Sequence, residues 1–212
     1  MPWFYYIGKY LVIMIVLLFT RCRINGMENV PRTGAILIVS NHLSMADPPL
    51  IGAKLGRYIY FMAKEELFQF KPVGAFLRNV GAFSIRRGGL DRSALLKTRR
   101  ILKNDKALVI FPEGSRSPNA EMQPAFPGSA AIAVRSGSPV LPVGIIGTER
   151  LEKWTWIFQR PRITVNIGES FYLPDHSSKV GKSELGQYTD LIMRRVARLL
   201  PINYRGVYSN QE

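Results

Sequence analysis

The sequence predicts an α/β domain: a mostly parallel central sheet covered by helices, behind an N-terminal apolar helix. Three observations carry this. Short runs rich in β-branched residues alternate with longer stretches of helical spacing. Apolar residues make up 47% of the chain and charged residues 21%, which supplies a sizeable core and argues against wholesale disorder. The N-terminus holds a nearly continuous apolar run that has no counterpart downstream.

That run, Trp3 to Phe19, reads WFYYIGKYLVIMIVLLF and is interrupted only by Gly8 and Lys9. As a helix it is about 25 Å long, against a hydrocarbon core of roughly 30 Å. It either crosses the bilayer with Lys9 snorkelling or lies within one leaflet. Thr20-Arg21-Cys22-Arg23 stands where a cleaved signal peptide needs small residues, and Arg21 with Arg23 favours the cytoplasmic side. The expectation is a membrane-associated helix at 1–23 and a domain at 24–212. Its place is the cytoplasmic face of the cell membrane, held monotopically or by a single N-terminal anchor.

Within the body, strands are expected at Ala35–Ser40, Tyr58–Ala63, Ala82–Ile85, Ala107–Phe111, Val140–Ile145 and Ile163–Ile167. Helices are expected at Ser93–Asn104, Ser129–Ser136 and Glu184–Leu200. Pro48 and Pro49 suit the first turn of a further helix, with Asp47 as its N-cap. Ser177–Ser183 reads as a polar connection and Val207–Glu212 as a frayed tail.

Lys and Arg outnumber Asp and Glu by 29 to 15, a formal charge of +14. This calls for an anionic partner: nucleic acid, an anionic membrane surface or a phosphorylated substrate. No nucleic-acid-binding motif accompanies the charge, so nucleic acid ranks last. A single cysteine, Cys22, excludes an intramolecular disulfide framework and multi-cysteine metal sites, and no metal site is expected. The stretch Lys153–Arg162, KWTWIFQRPR, fits either an interfacial membrane patch or ordinary core aromatics.

Three clusters can carry chemistry, and each lies at or next to an expected strand. Ser40–Asp47, SNHLSMAD, emerges where open α/β sheets collect ligands. A neutral imidazole at His42 can take a proton near neutral pH, and a carboxylate can fix its tautomer. On a regular helix residues five apart lie about 140° apart, so pairing His42 with Asp47 requires a turn between them. Asp47 as a plain helix cap, with His42 a satisfied loop residue, fits the spacing as well. The second cluster is Phe111–Ser117, FPEGSRS, where a turn at a strand end offers backbone N–H groups and the Arg116 guanidinium to phosphate oxygens. The third is Gly81–Arg87, GAFSIRR, whose adjacent arginines face opposite sides of an extended strand.

Taken in order, these clusters resemble the 1-acyl-sn-glycerol-3-phosphate acyltransferase family, a branch of the HxxxxD glycerolipid acyltransferases. NHLSMAD is similar to its NHxSxxD signature and GAFSIRR to its GxxFxxR block. FPEGSRS is similar to FPEGTRS with Ser115 in place of threonine, and Val140–Val143 to an apolar-proline strand. The resemblance implies transfer of a fatty acyl group from acyl-coenzyme A or an acyl carrier protein to the sn-2 hydroxyl of lysophosphatidic acid. No bound cofactor is implied. His42 would be the general base and Asp47 its orienting partner. Arg87, Glu113, Gly114, Ser115 and Arg116 would bind the acceptor's phosphate. Another lysolipid or amino-lipid acceptor, Ser44 as a covalent nucleophile, and a non-catalytic basic membrane-binding module are the alternatives. The chain departs from its relatives at Phe126, near where many of them carry a lysine.

Overall fold

A computed structural model describes residues 3–85, 92–152, 155–174 and 180–209. Seven strands form one sheet: β1 (Arg21–Asn25), β2 (Ile36–Ser40), β3 (Ile59–Lys64), β4 (Ala82–Ile85), β5 (Ala107–Ile110), β6 (Val140–Ile146) and β7 (Arg162–Ile167). The helices are α1 (Trp3–Phe19), α2 (Asp47–Lys54), α3 (Lys71–Asn79), α4 (Arg92–Lys103), α5 (Gly128–Ser136), α6 (Trp156–Gln159) and α7 (Lys182–Ala197). The strand order is β1-β7-β6-β2-β5-β3-β4, and every neighbouring pair is parallel except β6 with β7.

β2 explains the arrangement. Its residues Ile36, Leu37, Ile38 and Val39 are fully buried, because β5 and β6 flank it and both faces of the sheet are covered. An unbroken apolar run is what such a doubly covered parallel strand requires. Leu37, Val39, Leu108 and Val140 pack with Ala94, Ile101 and Leu102 of α4, Ala130 and Ala133 of α5, and Ile192 and Val196 of α7. Ile36, Ile38, Val109 and Leu141 point the other way, towards Leu50 and Ile51 of α2. The parallel strands bring the carboxyl ends of β2 and β5 together, and with them the loops that follow.

The structure departs from expectation in several places. Arg21–Asn25 is a strand paired in parallel with β7, so the expected division after residue 23 falls inside the sheet. Its alternating pattern, with Cys22 and Ile24 half-buried between exposed neighbours, had read as a basic flank. α3 and the 3-10 turn Glu65–Phe68 before it stand where the sequence reading placed no element. Pro72 is accommodated in the first turn. Gly74 lies so close to Phe68 that a Cβ would stand 2.7 Å from the Phe68 carbonyl oxygen. Finally, Gly206–Tyr208 is a 3-10 turn with Tyr208 only 8% exposed, not part of a frayed tail.

α1 is the expected apolar helix, and among the described residues no helix is long and apolar enough to cross a membrane. It packs against α2, and the Phe19 ring meets that of Trp156 edge-on at 6.1 Å. Lys153, Trp154, Arg86, Arg87, His176 and 210–212 lie outside the described residues, as do 177–179 of the expected polar connection, whose last two residues, Lys182 and Ser183, open α7.

Gly147 ends β6 with φ +89°, and a Cβ there would overlap the Arg162 carbonyl oxygen. Gly147→Ala should therefore lower the free energy of unfolding by at least about 2 kcal/mol, read as a lower urea midpoint at unchanged m.

Candidate active site

The loop after β2 is folded around one carboxylate oxygen. Asp47 Oδ2 accepts the backbone N–H of Leu43 (2.7 Å), that of Ser44 (2.8 Å) and His42 Nδ1–H (2.9 Å). Asp47 is fully buried. It is the first residue of α2, with Ala46 as N-cap, so it does not cap its own helix as the sequence suggested. It closes the loop that precedes it. With Nδ1 donating to Asp47, Nε2 is the ring nitrogen left to take a proton. His42 is 8% exposed and its ring stacks on Phe111, centroids 4.3 Å apart.

Two neighbours fix this loop. Towards β6, the Asn41 side chain accepts the Ile145 N–H (2.8 Å) and donates to the Ile145 carbonyl (2.9 Å). Towards the loop after β5, Ser117 N–H donates to the His42 carbonyl (2.8 Å) and His42 N–H donates to Glu113 Oε1 (3.3 Å). The other Glu113 oxygen accepts Gln123 N–H at 3.3 Å. Glu113 is 4% exposed, and burial pushes its carboxyl up from the ordinary 4.5 to about 7 despite these two donors. Its two oxygens thus meet backbone donors from His42 and Gln123, and Glu113 serves as a strut between the two loops.

Gly114 has φ +71°, and a Cβ there would lie 3.0 Å from the Phe126 ring. Phe126, at the position expected to hold a lysine, is exposed and its N–H donates to the Pro112 carbonyl. Ser115 is exposed. Arg116 reaches the same cavity as His42, and its Nη1 pairs with Glu152 Oε1 at 2.9 Å. Arg87 lies outside the described residues. Ser44 is buried, with its Oγ accepting Ala46 N–H at 3.3 Å.

The cavity beside His42 encloses about 480 Å³. Pro48, Gly52 and Ala53 of α2, Ile59 and Phe61 of β3, and Leu77 of α3 give it largely apolar walls. Lys64 and Arg116 also line it, and Lys64 carries a second ion pair, to Glu66 at 3.4 Å. The sequence reading missed Lys64 and the whole α3 wall, because neither belongs to a motif. The available signal was the apolar run Ile59–Ala63 with Lys64 directly at its carboxyl end. Chemically, the arrangement offers a base with a fixed tautomer, cations for an anionic group and an apolar chamber in one place.

Residues 21–146 match the family model described as Acyltransferase. The chain is 28% identical over 178 residues to a 1-acyl-sn-glycerol-3-phosphate acyltransferase of Bacillus subtilis, covering 84% of this chain and 87% of that protein. It is 24% identical over 183 residues to the protein of that name from Borreliella burgdorferi, covering 84% and 70%. Among solved structures, the 1-acyl-sn-glycerophosphate (LPA) acyltransferase PlsC of Thermotoga maritima superposes with a TM-score of 0.65 at 32% identity, covering 91% of this chain and 80% of that one.

Because the folded Glu113 carboxyl titrates near 7 and the unfolded one near 4.5, the unfolded state releases the proton first as pH rises. Stability should therefore fall between about pH 4.5 and pH 7, by roughly 3 kcal/mol from this group, and level off above. Glu113→Gln should remove that slope from a plot of Tm against pH.

Proposed function

The chain belongs to the acyltransferase family, and from that membership we propose that it transfers a fatty acyl group to the sn-2 hydroxyl of lysophosphatidic acid, giving phosphatidic acid. The donor is an acyl thioester, acyl-coenzyme A or acyl carrier protein. One observation carries the reading: the His42–Asp47 pair, 2.9 Å apart, opens onto an apolar cavity that Arg116 also lines.

Mechanism follows from that geometry. Nε2 of His42 takes the proton of the acceptor hydroxyl as its oxygen attacks the thioester carbonyl carbon. The tetrahedral intermediate collapses, the C–S bond breaks, and the imidazolium returns the proton to the departing thiolate. Asp47 holds the imidazole in the productive tautomer and stabilises its charged form. General-base assistance of this kind contributes about 100- to 10,000-fold. Direct transfer is favoured over an acyl-enzyme at Ser44, whose hydroxyl is turned to the Ala46 N–H.

Arg116 supplies charge-assisted hydrogen bonds to the acceptor phosphate, exchanging Glu152 for it. Arg87 joins it, and the backbone N–H groups around Gly114 and Ser115 contribute donors. Glu113 keeps the His42 main chain in place. The apolar cavity takes an acyl chain, which needs walls without hydrogen-bonding demands.

We assign the protein to the cytoplasmic face of the membrane, with α1 lying in one leaflet. Its exposed Ile7, Tyr10, Leu11, Met14 and Leu18 recur at helical spacing on one side. Arg21 and Arg23 follow where anionic headgroups would meet them.

His42→Ala should lower kcat for labelled acyl transfer to lysophosphatidic acid by about 100- to 10,000-fold. Arg116→Ala should raise KM for that acceptor and erase its advantage over a monoacylglycerol lacking the phosphate. Equal rates for His42→Ala and the parent would remove His42 as the base.

A further inference from the structure

Beyond α1, a second apolar surface is left uncovered. Phe70, the N-cap of α3, and Val73 and Phe76 within the helix follow one another at three-residue intervals, and they are 67%, 39% and 54% exposed. Gly74 on another side of the helix is pressed against Phe68, which turns this stripe outward. Single exposed apolar residues are ordinary on a protein surface, whereas a contiguous stripe is not.

The stripe is continuous with the cavity. Phe76 and Leu67, both exposed, also line the chamber beside His42, as does the exposed Met45 on the loop before α2. The rim of the cavity is thus built from side chains that are simultaneously wall and outer surface. α2 shares this chamber with α3 and also packs against α1.

Charge is arranged to match. Lys71 and Arg78, at either end of α3, are exposed, with the Arg78 guanidinium 5.9 Å from the centre of the Phe68 ring. Of the nearby acids, Glu66 is paired with Lys64 and Glu65 also has a partner. An apolar stripe between cations is the arrangement of a short helix seated at an anionic lipid surface.

We propose that α3 is a second membrane-contacting element, seated at the headgroup–acyl boundary, so that the cavity between α2 and α3 opens onto lipid. This rests on the reading that the protein docks on a bilayer through α1, and extends it. An acyl chain then passes from the leaflet into the chamber without crossing water, and the apolar area at Phe70 and Val73 is covered only when the protein is bound.

The full chain with Cys22→Ser and either Val73→Cys or Leu11→Cys can carry a polarity-sensitive fluorophore and be mixed with vesicles of phosphatidylethanolamine and phosphatidylglycerol. The expected result is a blue shift at both positions, with quenching by nitroxide-labelled acyl chains. In parallel, Phe70→Ser with Val73→Ser should weaken vesicle binding at least about tenfold while transfer in detergent micelles is retained, since neither residue lines the cavity. If the label at 73 stays in water while that at 11 is quenched, α3 lies off the bilayer and the proposal falls, but docking through α1 stands. If neither responds, docking itself fails. A blue shift at 73 that grows with protein concentration without lipid would instead assign the stripe to a second copy of the chain.

Discussion

A single buried oxygen organises the site. Asp47 Oδ2 gathers two backbone N–H groups and one imidazole N–H from the preceding five residues. Without that acceptor, the main chain at Leu43 and Ser44 would bury two unpaired donors, each costing about 1–3 kcal/mol. The same contact that shapes the loop also selects the His42 tautomer. Loop geometry and proton chemistry therefore cannot be varied separately: a carboxylate that failed to reach the imidazole would also fail to close the turn.

The surrounding sheet supplies what the loop cannot. β2 lies between β5 and β6, and the loop that follows it is fixed from both sides. Asn41 holds the β6 backbone, while Glu113 and Ser117 hold the loop from β5. Further support comes from the C-terminal turns. The Tyr204 carbonyl accepts Met122 N–H, the Met122 carbonyl accepts Val207 N–H, and the Tyr208 hydroxyl accepts Ala125 N–H. Burial raises the Tyr204 phenol to about 12, helped by the hydrogen bond it donates to Glu149 at 2.8 Å. The loop carrying Arg116 is thus clamped by Tyr204, Val207 and Tyr208, and these contacts hold the two C-terminal turns in place.

The placement of charge separates two duties. Glu113 is inside and bonded to backbone, where its ionisation is disfavoured. Arg116 and Lys64 are half-exposed and held by surface ion pairs with Glu152 and Glu66. Such pairs are worth about 0–1 kcal/mol, so these cations can be recruited by a stronger anion at small cost. A rigid base beside loosely held cations suits a reaction in which the substrate, not the protein, completes the charge balance.

The succession of strands was legible because β2, β5 and β6 are short apolar runs bounded by polar residues, and a doubly covered parallel strand leaves that trace. His42, Asp47 and Arg116 were legible as a resemblance, through local motifs whose spacing the chain carries in itself. β1 was not, since five residues alternating between polar and apolar acquire their meaning only beside β7. Glu113 illustrates the same limit: its motif marked it for a ligand, yet the donors that occupy it come from His42 and Gln123, distant in sequence or set by a turn. Nor could the cavity be read, because its walls are drawn from α2, β3 and α3, with His42 and Arg116 at its side. By itself the sequence determined which elements form and which side chains can react, since periodicity and motif spacing are local. Tertiary structure alone decided what each carboxylate bonds and where an acyl chain has room, because both depend on surfaces that meet only when the sheet is assembled.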